Sequence, residues 1–332
     1  MNKRALGADL LLLLTACIWG FGFVAQRSGM EYIGPFAFNG IRFLMGSLSL
    51  FPLIALRAKG SVSGSAKHRI IKAIPGSLAA GSCCFIAVTL QQLGIMFTTA
   101  GNAGFITGLY VVLTPIFGIF LGRKTGPATW AGTLFTFAGL YFVSAAGHLK
   151  SLNPGDILVA AGAVFWTVHV LLIDALVKKN DPIVLSSGQF MVCGAYSMIA
   201  AFAAEPFLAG ILENLHQSGL FEWTPFPSLL RGISTGSIPF ELVTPAIIPV
   251  LYGGLASVGI AYTLQVVAQK NAPPAHATII LCLEGFFAAL GGILLLHEPL
   301  GIPTFIGFVL MLTGMLVSQW EVIFGRGGGL KP

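Results

Sequence analysis

Charged residues are scarce in this chain. Only 9% of its 332 residues are Asp, Glu, Lys or Arg, 55% are hydrophobic, and the mean hydropathy is +0.87. A soluble domain carries about 25% charged residues, so this chain has too little charge to cover a water-facing surface. No residue from Ala73 to Gly122 carries a formal charge. That run has room for two helices of the roughly 20 residues that cross a bilayer, so the composition predicts a multi-pass membrane protein.

Motifs for cofactor chemistry are also missing. The sequence contains no GxxxxGK[ST] phosphate-binding loop, so we do not expect this chain to drive transport with ATP by itself. Its five cysteines fall inside apolar runs without the spacing of metal ligands, and we expect neither a metal ion nor another cofactor. The net charge of +6 comes from basic residues in short loops beside apolar runs, where Lys and Arg set membrane orientation. A nucleic-acid partner is therefore not expected.

The apolar runs recur along the whole chain and predict ten membrane spans. A polypeptide in lipid must satisfy its own backbone hydrogen bonds, and uninterrupted runs of about 20 residues do so as helices rather than as barrel strands. The fold class that we predict is an all-α integral membrane protein, with the lipid bilayer as its surroundings. The predicted spans are 9–26, 35–56, 73–95, 99–121, 126–147, 156–176, 183–206, 243–268, 274–296 and 300–323.

Lys and Arg are distributed unevenly between the two sides of these spans. With the N-terminus inside, 14 of the 18 basic residues lie on the inner side. Only Arg27, Lys150 and Arg231 lie on the outer side, and Arg42 lies within a span. Because the inner loops of membrane proteins carry the excess of Lys and Arg, this distribution predicts that both termini are cytoplasmic.

The chain contains a long internal repeat. The triplet Thr89–Gln91 recurs as Thr263–Gln265 at a shift of 174 residues, and Trp19 recurs as Trp166 at a shift of 147. Further matches at these two shifts extend the similarity over both halves, which indicates a duplicated membrane unit. The two predicted repeats cover residues 8–147 and 155–324.

The second repeat is predicted to lie upside down relative to the first, because each repeat has five spans, an odd number. The charges agree, since the inner pair Arg123-Lys124 corresponds to His297-Glu298 on the outer side. Inverted repeats with a site near the midplane are an architecture of secondary transporters. The two shifts differ by 27 residues, which we assign to an external insertion at about 209–242. This insertion is either an interfacial segment or a substrate lid.

Two other classes of function stay open at this point. A membrane-embedded enzyme acting on a lipid-linked substrate would need clustered polar residues at one interface, and the insertion offers only Glu213, His216 and Glu222. A non-transporting membrane receptor would bind a ligand without moving it across the bilayer. The inverted repeat favours a transporter of a small-molecule substrate over both.

Several short motifs occur in a consistent order along the two repeats. They are Trp19–Val24, Gly40–Phe43, Thr98–Phe105 leading to Leu113–Pro115, and Leu283-Glu284 followed by Leu294–Glu298. With these motifs and the inverted duplication, the chain resembles the drug/metabolite transporter superfamily, specifically its ten-helix members with two EamA-type repeats. The resemblance implies a carrier in the cytoplasmic (inner) membrane, often an exporter of amino acids or related metabolites. One departure is that the family pattern reads Leu-Glu-Pro, whereas Gly285 follows Glu284 here, so a hinge there is less strongly expected.

Glu284 is the first candidate for the substrate site. It lies ten residues into the ninth span from Pro274, about 15 Å at 1.5 Å per residue, and is the only carboxylate predicted in the middle of a span. A charge at that depth costs at least ~2.5–3.5 kcal/mol, so we expect it to face the bundle interior or a wet cavity. It either binds a substrate amine or a proton, which makes proton coupling possible, or it holds helices together.

Aromatic and basic residues supply further candidates. Trp19 and Trp166 occupy equivalent positions in the two repeats and would either flank a central pocket, with cation–π contacts to an amine, or line the repeat interface. Arg42 in the second span is matched by Gln189. It would bind a substrate carboxylate, or extend to the interface, or pair with a carbonyl.

Polar residues at equivalent positions complete the predicted site. Asn102 and Tyr110 on the fourth span are matched by His276 and Glu284 at a shift of 174, which is the arrangement that a site at the midplane needs. His169 lies on the same span as Trp166 and is either a site residue or a hydrogen-bonded packing residue.

Overall fold

The computed structural model describes residues 3–30, 32–59, 66–98, 100–145, 154–217, 240–296 and 301–318, and the regular structure in these ranges is helical. The α-helices are α1 Lys3–Met30, α2 Pro35–Ser49, α3 Phe51–Lys59, α4 Ala66–Phe97, α5 Ala100–Thr107, α6 Tyr110–Phe120, α7 Pro127–Ala145, α8 Pro154–Val177, α9 Pro182–Gln217, α10 Phe240–Leu251, α11 Thr263–Gln269, α12 Pro274–Leu281, α13 Leu283–Leu296 and α14 Ile302–Ser318. A π-helix, Tyr252–Tyr262, joins α10 to α11.

Seven helical segments in the described ranges are long and apolar enough to cross a membrane. They are Arg4–Met30, Pro35–Arg57, Lys67–Phe97, Pro154–Val177, Pro182–Leu208, Pro245–Gln269 and Pro274–Leu295. Shorter apolar helices run over Tyr110–Phe120 and Phe305–Ser318. Large apolar side chains such as Phe120 and Ile302 are 83% and 79% exposed, which suits lipid and not water. The predicted class, an all-α multi-pass membrane protein, is confirmed.

Proline marks the start of many of these helices. It is the first residue of α2, α7, α8, α9 and α12. The first turn of a helix has no partner for its N–H groups, so the missing N–H of proline costs nothing there and its fixed φ is already helical. Local sequence therefore sets these starts, which lie within two residues of the predicted spans.

Two of the predicted spans are interrupted helices. The span 99–121 is broken between Thr107 and Tyr110, and the span 274–296 is broken at Cys282. At the second break the N–H of Gly285 donates to the carbonyl of Cys282 over 3.1 Å. This hydrogen bond spans three residues, as in a 3₁₀-helix, and not the four of an α-helix. The break in the ninth span thus occurs without the proline of the family pattern.

The predicted insertion 209–242 begins as a helix. α9 continues through its predicted end at 206 and reaches Gln217, and α10 begins at Phe240. The remainder of the insertion, and the pair His297-Glu298 used in the orientation argument, lie outside the described residues.

Two pairs of repeat-equivalent helices pack against each other and run antiparallel. α7 packs on α14, and α2 packs on α9. A Cβ built on Gly132 would lie 2.7 Å from the carbonyl oxygen of Gly314, and one on Gly139 would lie 2.6 Å from that of Gly307. Gly132 is equivalent to Gly307 and Gly139 to Gly314, so the early part of each helix meets the late part of the other. The missing side chains let the two backbones touch.

The other helix contacts also occur in pairs that correspond when the two repeats are exchanged. The contact of α8 with α4 corresponds to that of α1 with the π-helix. The contact of α9 with α4 corresponds to that of α2 with the π-helix. α1 contacts α13, as α8 contacts α5 and α6. Each first helix is therefore enclosed by helices of the opposite repeat, and the space between the repeats lies at the centre of the bundle.

Candidate substrate-binding site

The two helix breaks meet at the centre of the bundle. Cys282 donates its thiol to the carbonyl of Gly108 over 3.2 Å, and Tyr110 donates its hydroxyl to Oε1 of Glu284 over 2.9 Å. Each of these contacts joins residues 174 positions apart, which is the repeat shift. Residues at equivalent positions touch each other only near an axis that exchanges the repeats, so that pseudo-two-fold axis passes between the breaks.

Glu284 is held at the start of a helix. It is the second residue of α13, which begins immediately after the break, and its side chain is buried at 4% exposure. The dipole at a helix N-terminus favours a negative charge in the first turn. The hydroxyl of Tyr110 supplies a further donor. The break thus places the Glu284 carboxyl group in the bundle interior, next to a hydroxyl donor from the other repeat.

Aromatic rings form one wall beside this position. The ring of Tyr262 lies between the two tryptophans, with centroid distances of 4.4 Å to Trp19 and 5.9 Å to Trp166. The Trp19 indole N–H donates to the carbonyl of Ser257 over 3.2 Å, which fixes its orientation. Two tryptophans at equivalent positions therefore face a shared tyrosine that has no equivalent in the first repeat, where Val88 stands at that position.

Arg42 is a buried cation without an ion pair among the described residues. Its side chain is 2% exposed, its Nε donates to Oδ1 of Asn39 over 3.0 Å, and its guanidinium lies 5.6 Å and 5.1 Å from the ring centroids of Phe38 and Phe43. These neighbours offset part of the cost of burying the charge. The guanidinium is thus available for an anion that the protein itself does not provide.

A narrow cavity of about 40 Å³ connects these groups. Its wall includes Trp19, Arg42, Tyr110, Trp166 and Glu284. Pockets for small-molecule ligands measure about 300–1,000 Å³, so this cavity holds water-sized contents, and a substrate requires the surrounding helices to separate. One buried carboxylate and one buried guanidinium are therefore both among the residues that line this cavity.

The structure brings five of the eight predicted site residues together at the cavity and places two others, His169 and His276, apart from it. His169 lies behind Trp166, fully buried, with its Nε2 2.9 Å from Oε1 of Gln189. His276 lies about 12 Å from Glu284 along the chain, at 1.5 Å per residue, and its Nε2 is 2.9 Å from Oδ1 of Asp9. Asn102 belongs to α5, but its side chain lies outside the described part of the structure.

Sequence reasoning did not assign Gln26, Ser257 and Tyr262, which also line the cavity. Gln26 lies seven residues after Trp19, on the same helix face, so helical periodicity was the signal for it. Tyr262 directly precedes the repeated triplet Thr263–Gln265, whose last residue also lines the cavity. No pattern in the sequence identified Ser257, whose carbonyl accepts the hydrogen bond from the Trp19 indole.

Two polar bridges join the repeats at some distance from the cavity. Asp9 of α1 meets His276 of α12, and Asp156 of α8 accepts a hydrogen bond of 2.7 Å from the hydroxyl of Thr98 after α4. Asp9 and Asp156 are equivalent at the shift of 147. Each lies ten residues before the tryptophan of its helix, about 15 Å along the axis. Two equivalent aspartates therefore each make a polar contact with the opposite repeat, at the same distance from the tryptophan of their helix.

Comparison with known proteins agrees with this architecture. The pattern of the EamA-like transporter family matches residues 6–145 and 153–319. An uncharacterized transporter of Archaeoglobus fulgidus is 28% identical over 320 residues, 96% of this chain and 88% of that protein. The uncharacterized inner membrane transporter YedA of Escherichia coli K12 is 26% identical over 192 residues, 55% of this chain and 56% of that protein. A crystal structure with 17% identity shares the fold, with a TM-score of 0.67 over 96% of this chain and 99% of the other.

Helices of membrane-spanning length, duplicated in the chain and packed around a buried polar cavity, define a multi-pass membrane transporter. The chain belongs to the EamA-like transporter family, since the family pattern covers both of its repeats. This confirms the resemblance to the drug/metabolite transporter superfamily. The family and the names of the relatives point to transport rather than to catalysis.

Proposed function

We propose that this protein is a secondary transporter that exports a small zwitterionic metabolite, an amino acid or a related compound, by alternating access. The observation that carries the proposal is the cavity on the pseudo-two-fold axis, which both Glu284 and Arg42 line. A buried carboxylate and a buried guanidinium are complementary to the ammonium and carboxylate of a zwitterion. The direction of transport follows from the resemblance to exporters.

Each part of the site has a distinct role in recognition. Glu284 pairs with the substrate ammonium, while Trp19 and Tyr262 present ring faces to it. Arg42 donates two N–H groups to the substrate carboxylate, because its guanidinium has no protein carboxylate as a partner among the described residues. An uncharged substrate would leave two buried charges without partners, which selects against it.

The proposed architecture is ten spans in two inverted repeats, 8–147 and 155–324, in the inner membrane with both termini in the cytoplasm. The antiparallel packing of α7 on α14 and of α2 on α9 supports the inversion. The distribution of Lys and Arg supports the orientation, and the inner-membrane name of YedA supports the location. The bridges Asp9–His276 and Asp156–Thr98 would then open alternately, each admitting substrate from one side.

Proton coupling would use the same carboxyl group. A Glu284 side chain that binds either a proton or the substrate ammonium makes the two compete for one site. Proton entry from one side would then release substrate to that side, which is the logic of proton exchange.

The test is transport in proteoliposomes that contain the purified protein and an outward or inward pH gradient. Glu284→Gln and Arg42→Gln are expected to lower amino-acid flux about tenfold to a hundredfold, because a hydrogen bond to a charged group contributes about 1.5–3 kcal/mol. The glutamine at position 42 copies its repeat equivalent, Gln189, which limits disturbance of the packing. Lys179→Gln, at an exposed position after α8, serves as the control and should transport like wild type.

A wild-type flux for both variants would show that the cavity is not the transport site. Loss of flux without any pH-gradient dependence in the wild type would keep the site and remove the proton from the mechanism.

A further inference from the structure

A second cavity is a groove on the surface of the helix bundle, between α3, α4 and α9. It has a volume of about 550 Å³ and is distinct from the transport cavity. We name it the α3–α4–α9 groove, and its lining includes Phe51, Ala55, Ile70, Ile74, Val184 and Met191. The volume falls within the range of about 300–1,000 Å³ that is common for ligand sites. The lining is mainly apolar, so in a membrane this groove is filled by hydrocarbon.

One end of the groove carries a cluster of positive charge. The segment 57–72 contains five Lys and Arg residues and no Asp or Glu. Arg57 follows the groove residue Ile54 by three positions on α3, and Lys67 precedes Ile70 by three positions on α4. Residues three apart share a helix face, so both exposed cations extend the groove by one turn beyond its apolar lining.

The carboxylate that approaches this end is already engaged. Asp181 accepts the backbone N–H groups of Ile183 and Val184 at the start of α9, over 2.9 Å and 3.2 Å, and lies 3.5 Å from the guanidinium of Arg69. Asp181 therefore pairs with Arg69, and Arg57 has no carboxylate partner among the described residues. An apolar channel therefore ends at a net positive surface.

We propose that the α3–α4–α9 groove binds an anionic phospholipid, with one acyl chain in the groove and the phosphate against Arg57 and Lys67. The helices end here, at α3 Lys59 and at the start of α4, so these cations lie at the depth of lipid headgroups. Cations beside a bilayer attract anionic lipid, each by roughly fivefold in affinity. The acyl chain of the lipid thus matches the apolar lining of the groove, and its phosphate matches the cations at the end.

A second groove of similar size provides an internal control. It has a volume of about 590 Å³, lies between α6 and α8, and is lined by Phe117, Phe120 and Ala175 among others. The cations Arg123 and Lys178 near it both pair with the buried Asp174, over 2.6 Å and 3.2 Å. Because the buried carboxylate offsets one of these two charges, we expect weaker selection of anionic lipid there.

The experiment measures lipid binding to the purified, delipidated full chain by native mass spectrometry. Dioleoyl phosphatidylglycerol is compared with dioleoyl phosphatidylcholine, which has the same acyl chains and no net charge. We expect the anionic lipid to bind about 25-fold more tightly, roughly fivefold for each of the two cations. The double variant Arg57→Gln/Lys67→Gln should lower this preference to less than fivefold without changing phosphatidylcholine binding.

Matched substitutions test the acyl-chain site. Ala55→Trp fills the α3–α4–α9 groove and Ala175→Trp fills the other, and both alanines are exposed, so neither change overpacks a core. Ala55→Trp should lower phosphatidylglycerol binding at least tenfold, and Ala175→Trp should leave it within twofold. Equal affinity for both lipids, or equal effects of the two tryptophans, would overturn the proposal.

A measurement on the wild-type protein covers the case in which a variant fails to fold. A phosphatidylglycerol analogue with a photoreactive group in its acyl chain should label peptides of α3, α4 and α9. Labelling confined to other helices would refute the site. Competition by glycerol phosphate as strong as by the lipid would also refute it, because the groove would then contribute nothing.

Discussion

The two polar bridges should control which side of the membrane reaches the cavity, and they should act in opposite directions. His276→Phe removes the partner of Asp9, and Thr98→Val removes the hydroxyl that donates to Asp156. Both substitutions keep most of the side-chain volume, so the main change is the lost polar contact. The aspartates of the two bridges occupy equivalent positions in repeats that we propose to be inverted, so each loss should favour opening on its own side only.

The size of the effect follows from the contacts. A hydrogen bond to a charged group contributes about 1.5–3 kcal/mol, and each 1.4 kcal/mol changes an equilibrium constant tenfold. The occluded state should therefore lose about tenfold to a hundredfold in population relative to the state that is open on the affected side. Thr98→Val is expected at the lower end, because Asp156 keeps other interactions.

The assay uses a cysteine in the cavity as a reporter. Ser257→Cys is introduced into a protein whose five native cysteines are replaced by alanine, and sealed vesicles are treated with a membrane-impermeant thiol reagent from one side. His276→Phe should speed labelling from the side of the N-terminus, and Thr98→Val from the opposite side. Thr313→Val, which removes an exposed hydroxyl within α14, is the control and should change neither rate.

Faster labelling from the same side in both variants would refute the inverted arrangement of the bridges. Unchanged labelling in both would show that these contacts are structural and do not control access.

Two further predictions concern single contacts near the axis. Tyr110→Phe removes the hydroxyl bound to Glu284 and should weaken substrate binding about tenfold, measured by calorimetry, while Phe in place of the exposed Tyr141 should have no effect. Gly132→Leu places side-chain atoms where a Cβ alone would lie 2.7 Å from Gly314, and it should lower the free energy of unfolding by about 1–3 kcal/mol. Gly7→Leu meets nothing within 4 Å and is its control, and equal unfolding midpoints for the two variants would contradict close packing of α7 on α14.

The class of protein and the positions of its helices were predictable from the sequence. Length and apolarity of a segment decide whether it can cross a bilayer, and both are local properties. The starts at Pro35, Pro154, Pro182 and Pro274 are also local, because proline fits the first turn of a helix at no cost. The duplication is visible as repeated residues, and the family pattern covers the same two halves.

The candidate site was predictable only where the repeat itself pointed to it. Tyr110 and Glu284 share an equivalent position, and residues that do so meet when the axis passes between them. His276 and Asn102 share another equivalent position, farther from the axis, and His276 meets Asp9 instead. The repeat in the sequence identified both pairs of equivalent residues. Their distances from the axis decided that Tyr110 and Glu284 meet, whereas His276 contacts Asp9.

By itself, the sequence determined that the chain is a duplicated, all-helical membrane protein with a carboxylate deep in its ninth span. Only the tertiary structure decided that the helix breaks at Cys282, that Arg42 shares a cavity with Glu284, and that His169 lies behind Trp166. The physical reason is that the direction of a side chain around its helix, and the angle at which helices cross, decide which residues meet. Each residue turns a helix by about 100°, so the packing of neighbouring helices decides which side chains of an almost uniformly apolar helix face the cavity.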